Sequence, residues 1–143
     1  MALLFDTDAI SELLRPQPNP SYLEWVRIVP RENQFTSAIC IAELFKGAFR
    51  SEAQERHLRN IEKRVLPAVT VLPFDVATAK VFGQIRAELE KRGRPLPDAD
   101  IQIAATAVYH GLHLVTGNIK HFRRIPQVSL NHTLAEARRF RLS

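Results

Sequence analysis

Asp6, Glu43, Asp98, Asp100 and Asn118 stand where the surrounding sequence gives polar groups least reason to be. Asp6 follows the apolar run Leu3-Leu4-Phe5. Glu43 interrupts Ile39-Cys40-Ile41-Ala42-Glu43-Leu44-Phe45. Asp98 and Asp100 open an alanine-rich stretch, and Asn118 follows the apolar run Leu112 to Thr116. Carboxylates drawn together out of water repel one another and need protons or a cation. Hard oxygen donors of this kind select Mg2+ or Mn2+. Such an ion orients water and offsets charge building on a phosphate oxygen. The set predicts metal-assisted hydrolysis of a phosphate ester.

Each member taken alone has a plainer reading. Asp98 and Asp100 are suited to capping a helix, and for Asp98 that reading is preferred. Asp8 is either a cap or a further acid near Asp6. Glu43 could instead reach solvent or pair with an arginine, and asparagine at a position like Asn118 most often marks a turn. The histidines, His57, His110, His113, His121 and His132, show no metal-ligand spacing and read as structural or surface groups.

The elements that position these groups follow from pattern. Leu3-Leu4-Phe5 does not alternate, so it reads as a buried parallel strand ending at Asp6. Asp8 is placed to cap a helix that runs to Arg15-Pro16. A second helix is expected over 21–29, a short strand at 34–36, and a helix capped by Ser37 that carries Glu43. Residues 51–66 read as one exposed helix with a packed stripe. Val69 to Leu72 reads as a strand. Asp75 opens the longest periodic segment, with Val76, Ala79, Val81 or Phe82, Ile85 and Leu89 on one face. A small-residue helix over 98–109 leads through His110-Gly111 to the strand Leu112–Thr116. A short helical turn over 119–122, an edge strand over 128–130 and a basic helical tail over about 133–143 complete the chain. Alternation of strands and helices predicts an α/β fold with a parallel sheet covered on both faces. In such sheets ligands bind outside the carboxyl ends of the strands, where Asp6 and Asn118 lie.

The 143 residues are expected to form one domain, 1–143. A net charge of +5 and a pI of about 9.9 favour a polyanionic partner such as nucleic acid. Cys40 is the only cysteine, which excludes an internal disulfide and fits a reducing cytoplasm. No signal peptide is expected, and no apolar run approaches the roughly 20 residues needed to cross a bilayer.

The motifs Leu4-Phe5-Asp6-Thr7-Asp8, Ala42-Glu43-Leu44-Phe45-Lys46-Gly47, Ile85-Arg86-Ala87-Glu88-Leu89 with Gly93, Asp98 to Ala107, and Leu114-Val115-Thr116-Gly117-Asn118 with Phe122 stand in one order across nearly the whole chain. In that order the chain resembles the PIN-domain ribonucleases, most closely the toxins of VapBC toxin–antitoxin pairs. The resemblance implies a Rossmann-like three-layer α/β/α sandwich and a Mg2+-dependent endoribonuclease. It casts Asp6, Glu43 and Asp100 as the metal-binding catalytic acids and Asn118 as the fourth catalytic position, with Asp98 secondary. It implies a homodimer, and a small VapB-like antitoxin lying over an apolar groove near Trp25 and Leu58. The sequence departs from the family where Asp8 replaces a usual Asn, and where Gly117 and His121 replace a common basic and a common acidic residue.

The expected reaction is hydrolysis of an RNA phosphodiester, with Arg15, Lys46, Arg86 and Lys120 as candidates for flanking phosphates. One alternative is a haloacid-dehalogenase-like phosphatase with Asp6 as nucleophile and Asp8 as acid. The chain lacks the Gly that usually follows the second acid, and Glu43 would have no role. A second alternative is a non-catalytic module that binds RNA or a protein partner.

Overall fold

The computed structural model describes residues 1–140. Its centre is β1 (Leu3–Phe5), followed at once by α1 (Thr7–Leu14) and then α2 (Pro20–Ile28). Next come β2 (Gln34–Ser37), α3 (Ala38–Arg50), α4 (Gln54–Asn60) and β3 (Thr70–Leu72). The second half holds α5 (Val76–Lys91), α6 (Asp98–His110), β4 (His113–Val115), α7 (Ile119–Phe122), β5 (Ser129–Asn131) and α8 (Thr133–Arg139). The expected tail agrees over α8, while residues 141–143 lie outside the described part.

The five strands form one sheet in the order β3-β2-β1-β4-β5, and every neighbouring pair is parallel. All three residues of β1 are buried because both faces of the sheet are covered. Leu4 packs on one side with Cys40, Ile85, Ile101, Ile103 and Leu114. Leu3 and Phe5 pack on the other with Ile10, Tyr22, Leu44, Val115 and Leu134. The result is the three-layer α/β/α sandwich, and the non-alternating apolar strand is its direct consequence.

Ser37 and Asp75 cap α3 and α5 as expected, accepting from the N–H groups of Cys40 and Thr78 at 3.1 and 3.0 Å. Asn19 caps α2, with Pro20 in its first turn where a missing N–H costs nothing. Gly111, at φ 67°, ends α6 in the left-handed region.

Three local expectations are corrected. Asp8 does not cap α1; Asp6 does, and Asp8 lies inside the first turn. Residues 51–66 are not one continuous helix. After α4 the chain widens into a π-helical turn over Ile61–Val65, where Leu66 N–H bonds the Ile61 carbonyl at 3.0 Å. The wider turn buries both Ile61 and Val65. Val76 is 88% exposed, so the packed face of α5 begins at Thr78 and continues through Ile85 and Leu89.

Candidate functional site

Asp6 is placed by the two strands flanking β1. Its N–H donates to the Val115 carbonyl of β4 at 3.1 Å. The Thr36 hydroxyl of β2 donates to the Phe5 carbonyl at 2.7 Å. The backbone on both sides of Asp6 is therefore tied down. Its carboxylate accepts from Ala9 N–H at 2.8 Å and so caps α1. Asp6 is only 5% exposed. Burial is the main reason its carboxyl is pushed up to about 7. The negative charges of Asp8 and Asp100 push the same way, against the Thr116 hydroxyl and the Ala9 N–H.

The other acids arrive from different elements. Glu43, half-buried in α3, accepts a short hydrogen bond from the hydroxyl of Thr7, the residue next to Asp6. Asp100, in the first turn of α6, has Oδ2 2.7 Å from Nε2 of His121 in α7. Asn118 begins that short helix, and its N–H donates to the Thr116 hydroxyl at 3.0 Å. Its own side chain is exposed and caps nothing. Glu43 is thus tied to the residue that follows Asp6, and Asp100 lies near enough for its charge to act on Asp6, with Asn118 at the start of the short helix that carries the His121 contact.

Several sequence readings change. His121 is not merely structural or surface, because it faces Asp100 from a half-buried position. Asp98 does not cap α6; Pro97 occupies that position. Asp98 is exposed and accepts from Arg86 Nε at 2.7 Å, and Arg86 also pairs with Glu90. Arg86, a candidate for a flanking phosphate, is thus a partly exposed arginine with two acidic neighbours. Asp8 is held by Arg138 of α8 through bonds of 2.7 and 3.0 Å. Trp25 itself packs against Phe5 and Tyr22, while its helix, through Leu23 and Arg27, and the helix of Leu58, through Arg56, His57 and Asn60, line a groove as expected.

Thr7, Thr116 and Arg138 were not selected from sequence, and His121 was noted only as a departure from the family. The one local signal was Thr7, a hydroxyl between two acids. The contact from Arg138 spans 130 positions and leaves no local trace.

The donor set fits a hard divalent cation. It is anionic, made of oxygen, and includes a buried carboxyl whose proton affinity its acidic neighbours raise further. Among the described residues no three acidic, histidine or cysteine side chains close into a complete metal cage. Glu43 and Asp100 are instead turned onto Thr7 and His121, and Asp6 onto Ala9.

One groove reaches Thr7 and Glu43, and a second takes in Lys120 of α7. The first, of about 900 Å³, runs along Leu14, Leu23, Leu44 and Ile61, rimmed by Arg15, Arg27, Arg56 and Arg64. The second, of about 500 Å³, is lined by Gly93, Arg94, Pro95, Lys120, Arg123 and Arg124. Lys46 and Lys120 are exposed, while Arg15 pairs with Glu12 at 3.3 Å. Among the described residues no helix is long and apolar enough to cross a membrane.

Comparison with known proteins agrees with this geometry. The PIN domain model matches residues 3–128. Toxin FitB of Neisseria gonorrhoeae is 37% identical over 125 residues, covering 84% of this chain and 90% of that protein. The tRNA(fMet)-specific endonuclease VapC of Salmonella typhimurium is 40% identical over 105 residues, covering 70% and 79%. Among solved structures, VapBC2 from Rickettsia felis bound to a promoter DNA fragment superposes with a TM-score of 0.84 at 28% identity, covering 92% of this chain and 98% of that one. The match spans every element that carries Asp6, Glu43, Asp100 and Asn118, and the chain belongs to the PIN-domain family.

Proposed function

We propose that this protein is a divalent-metal-dependent endoribonuclease, the toxin of a toxin–antitoxin pair, working in the cytoplasm. The observation that carries the reading is the buried Asp6 at the end of the central strand, with Glu43 bonded to its neighbour Thr7 and Asp100 near enough for its charge to act on it. Asp6, Glu43 and Asp100 would hold Mg2+, or Mn2+ in its place. When bound, the ion supplies an activated water and offsets charge on the phosphate. Thr7 holds Glu43 and His121 holds Asp100, so both acids have fixed orientations. Asn118 offers a neutral oxygen or amide at the same edge. Lys120, with Arg94, Arg123 and Arg124 nearby, contacts phosphates on one side, and Arg15 and Lys46 on the other. Asp98 and Asp8 are secondary, each already paired with an arginine.

The named relatives support the substrate and partner classes: the Salmonella typhimurium protein is a tRNA-specific endonuclease, and the Rickettsia felis structure is a VapBC complex. The larger groove, apolar inside and basic at its rim, suits an antitoxin segment. A homodimer and a single nuclease domain complete the proposal.

The phosphatase alternative fits less well. Asp8, its candidate acid, is clamped by Arg138, and Asp6, its candidate nucleophile, caps a helix. Purified protein incubated with RNA and Mg2+ provides the test. Cleavage should stop in EDTA and in both Asp6→Asn and Asp100→Asn. Cleavage that survives all three refutes the proposal, and tight RNA binding without cleavage in either metal supports the binding module. Induction with and without the adjacent small gene tests the antitoxin. Growth arrest should depend on Asp6 and be relieved by that neighbour.

A further inference from the structure

We propose that Arg138 is a positioning residue for the nuclease site: it cancels the charge of Asp8, leaving Asp6, Glu43 and Asp100 as the acids that face the cation. Asp8 lies two residues from Asp6, close enough for its charge to act on Asp6. It stands in the first turn of α1 with its side chain 45% exposed. Arg138 Nη1 donates to Asp8 Oδ2 at 2.7 Å, and Nη2 donates to Oδ1 at 3.0 Å, a two-pronged contact. The same guanidinium reaches Glu12 Oε1 from Nε at 3.2 Å and from Nη2 at 2.8 Å.

Gly117 makes the arrangement possible. A Cβ on that residue would lie 2.2 Å from Arg138 Nη1 and 2.5 Å from Asp8 Oδ2. The ion pair therefore rests directly on the peptide between Thr116 and Asn118, at the end of β4. Two departures noted in the sequence, an acid at position 8 and a glycine at 117, share one cause: the guanidinium from α8 fills the space a side chain at 117 would need. A clasp joining α8 to α1 could be built on Glu12 alone. The second prong, onto the acid nearest Asp6, is what bears on the site.

The inference rests on the reading that Asp6, Glu43 and Asp100 hold a divalent cation. Its test is Mn2+ titration calorimetry on the full chain, with the KM for RNA measured beside it. The variants are Asp8→Asn, Arg138→Gln, their combination, Gly117→Ala and, as control, Asp6→Asn. Arg138→Gln exposes the Asp8 charge, so Mn2+ should bind about three- to tenfold tighter while KM rises. Asp8→Asn should move both quantities the other way, and the double variant should return to within about twofold of the parent. Gly117→Ala crowds both the guanidinium and the Asp8 carboxylate and forces the pair apart without altering any charge. It should shift both quantities as Arg138→Gln does, and it carries the test if loss of the Glu12 contact prevents Arg138→Gln from folding. Mn2+ affinities that stay put in the single variants, or that fall in Arg138→Gln together with its melting temperature, reduce Arg138 to a clasp and overturn the inference. Complete loss of Mn2+ binding in Asp8→Asn also overturns it, because Asp8 would then be a ligand. If Asp6→Asn leaves Mn2+ binding intact, the cation reading itself fails, and that result is distinct from the others.

Discussion

His121 meets Asp100 at 2.7 Å, ring nitrogen to carboxylate oxygen, and so joins the turn after β4 to the first turn of α6. A ring N–H facing a carboxylate fixes the rotamer of that acid. His121→Ala leaves Asp100 free to turn into solvent, while His121→Asn keeps a donor. Truncating a group that orients a metal-site ligand costs about 10- to 100-fold in activity or metal affinity. The alanine variant should lose activity on that scale, with kcat falling more than RNA binding. The asparagine variant should recover part of it. Equal rates for all three proteins would remove His121 from the site.

Asp6 sets the pH dependence of stability in the metal-free protein. Its pKa rises from 3.8 unfolded to about 7 folded. Between those values the folded state binds the extra proton, so stability falls as pH rises through this window. Above pH 7 the ionised, buried carboxylate costs up to about 4 kcal/mol relative to a group with an unshifted pKa. Asp6→Asn removes the charge and keeps a side-chain oxygen to cap α1. At pH 8 the variant should melt higher than the parent while being inactive, and the gap should close toward pH 4. Urea denaturation at the two pH values measures it. A variant less stable than the parent at pH 8 would mean that Asp6 is not strained by burial.

The parts of this site that were legible in the sequence are those fixed by local pattern. A strand buried on both faces must be apolar throughout, so Leu3-Leu4-Phe5 ending at Asp6 announced both the central strand and its acid. Glu43 stood out because helix α3 is otherwise apolar around it. Ser37 and Asp75 announced their helices through capping chemistry. Local pattern favours Asp8 as the cap of α1, and the structure uses Asp6, two residues earlier. The strand register chose, by anchoring Asp6 N–H on Val115. The partners of His121 and Arg138 were illegible for a different reason. Each of the two residues acts on an acid in another element, 21 and 130 positions away. Histidines in a basic turn and arginines in a basic tail look like solvated surface until the sheet brings them home. The break at Ile61 depends likewise on what Ile61 and Val65 pack against.

Lys120 provides a separate test of where RNA lies. It is exposed beside Arg94, Arg123 and Arg124, in the same short helix as His121. If it contacts a phosphate, Lys120→Ala should weaken RNA binding similarly for every sequence. It should also reduce the slope of log affinity against log salt by about 0.7, the value for one contact on a single strand. Binding to an inactive Asp6→Asn background, measured at several KCl concentrations, isolates this effect from cleavage. An unchanged slope assigns RNA to the other face of the site.

Glu12 carries the largest stability prediction away from the acids themselves. Its side chain is 0% exposed, and it receives Arg138, Arg15 and the Asn19 N–H. Burial alone would raise its carboxyl. The hydrogen bonds from Arg138 and Asn19, with the charges of Arg138 and Arg15, outweigh burial and hold it below the usual value of 4.5. An acid whose pKa is lowered on folding adds stability above its unfolded pKa and loses it as pH falls through the folded one. Glu12→Ala should therefore cost about 3–5 kcal/mol at pH 7, the range for removing one partner of a buried pair. Glu12→Gln, which keeps an acceptor for Arg138 but no charge, should cost less. Both differences should shrink as the pH falls below 4.5, where the unfolded chain takes up a proton that the folded carboxylate still resists. Denaturant midpoints at pH 7 and pH 3.5 read the effect. A cost at pH 3.5 as large as at pH 7 would place Glu12 in packing rather than charge pairing, and α1 and α8 would then be joined through Asp8 alone.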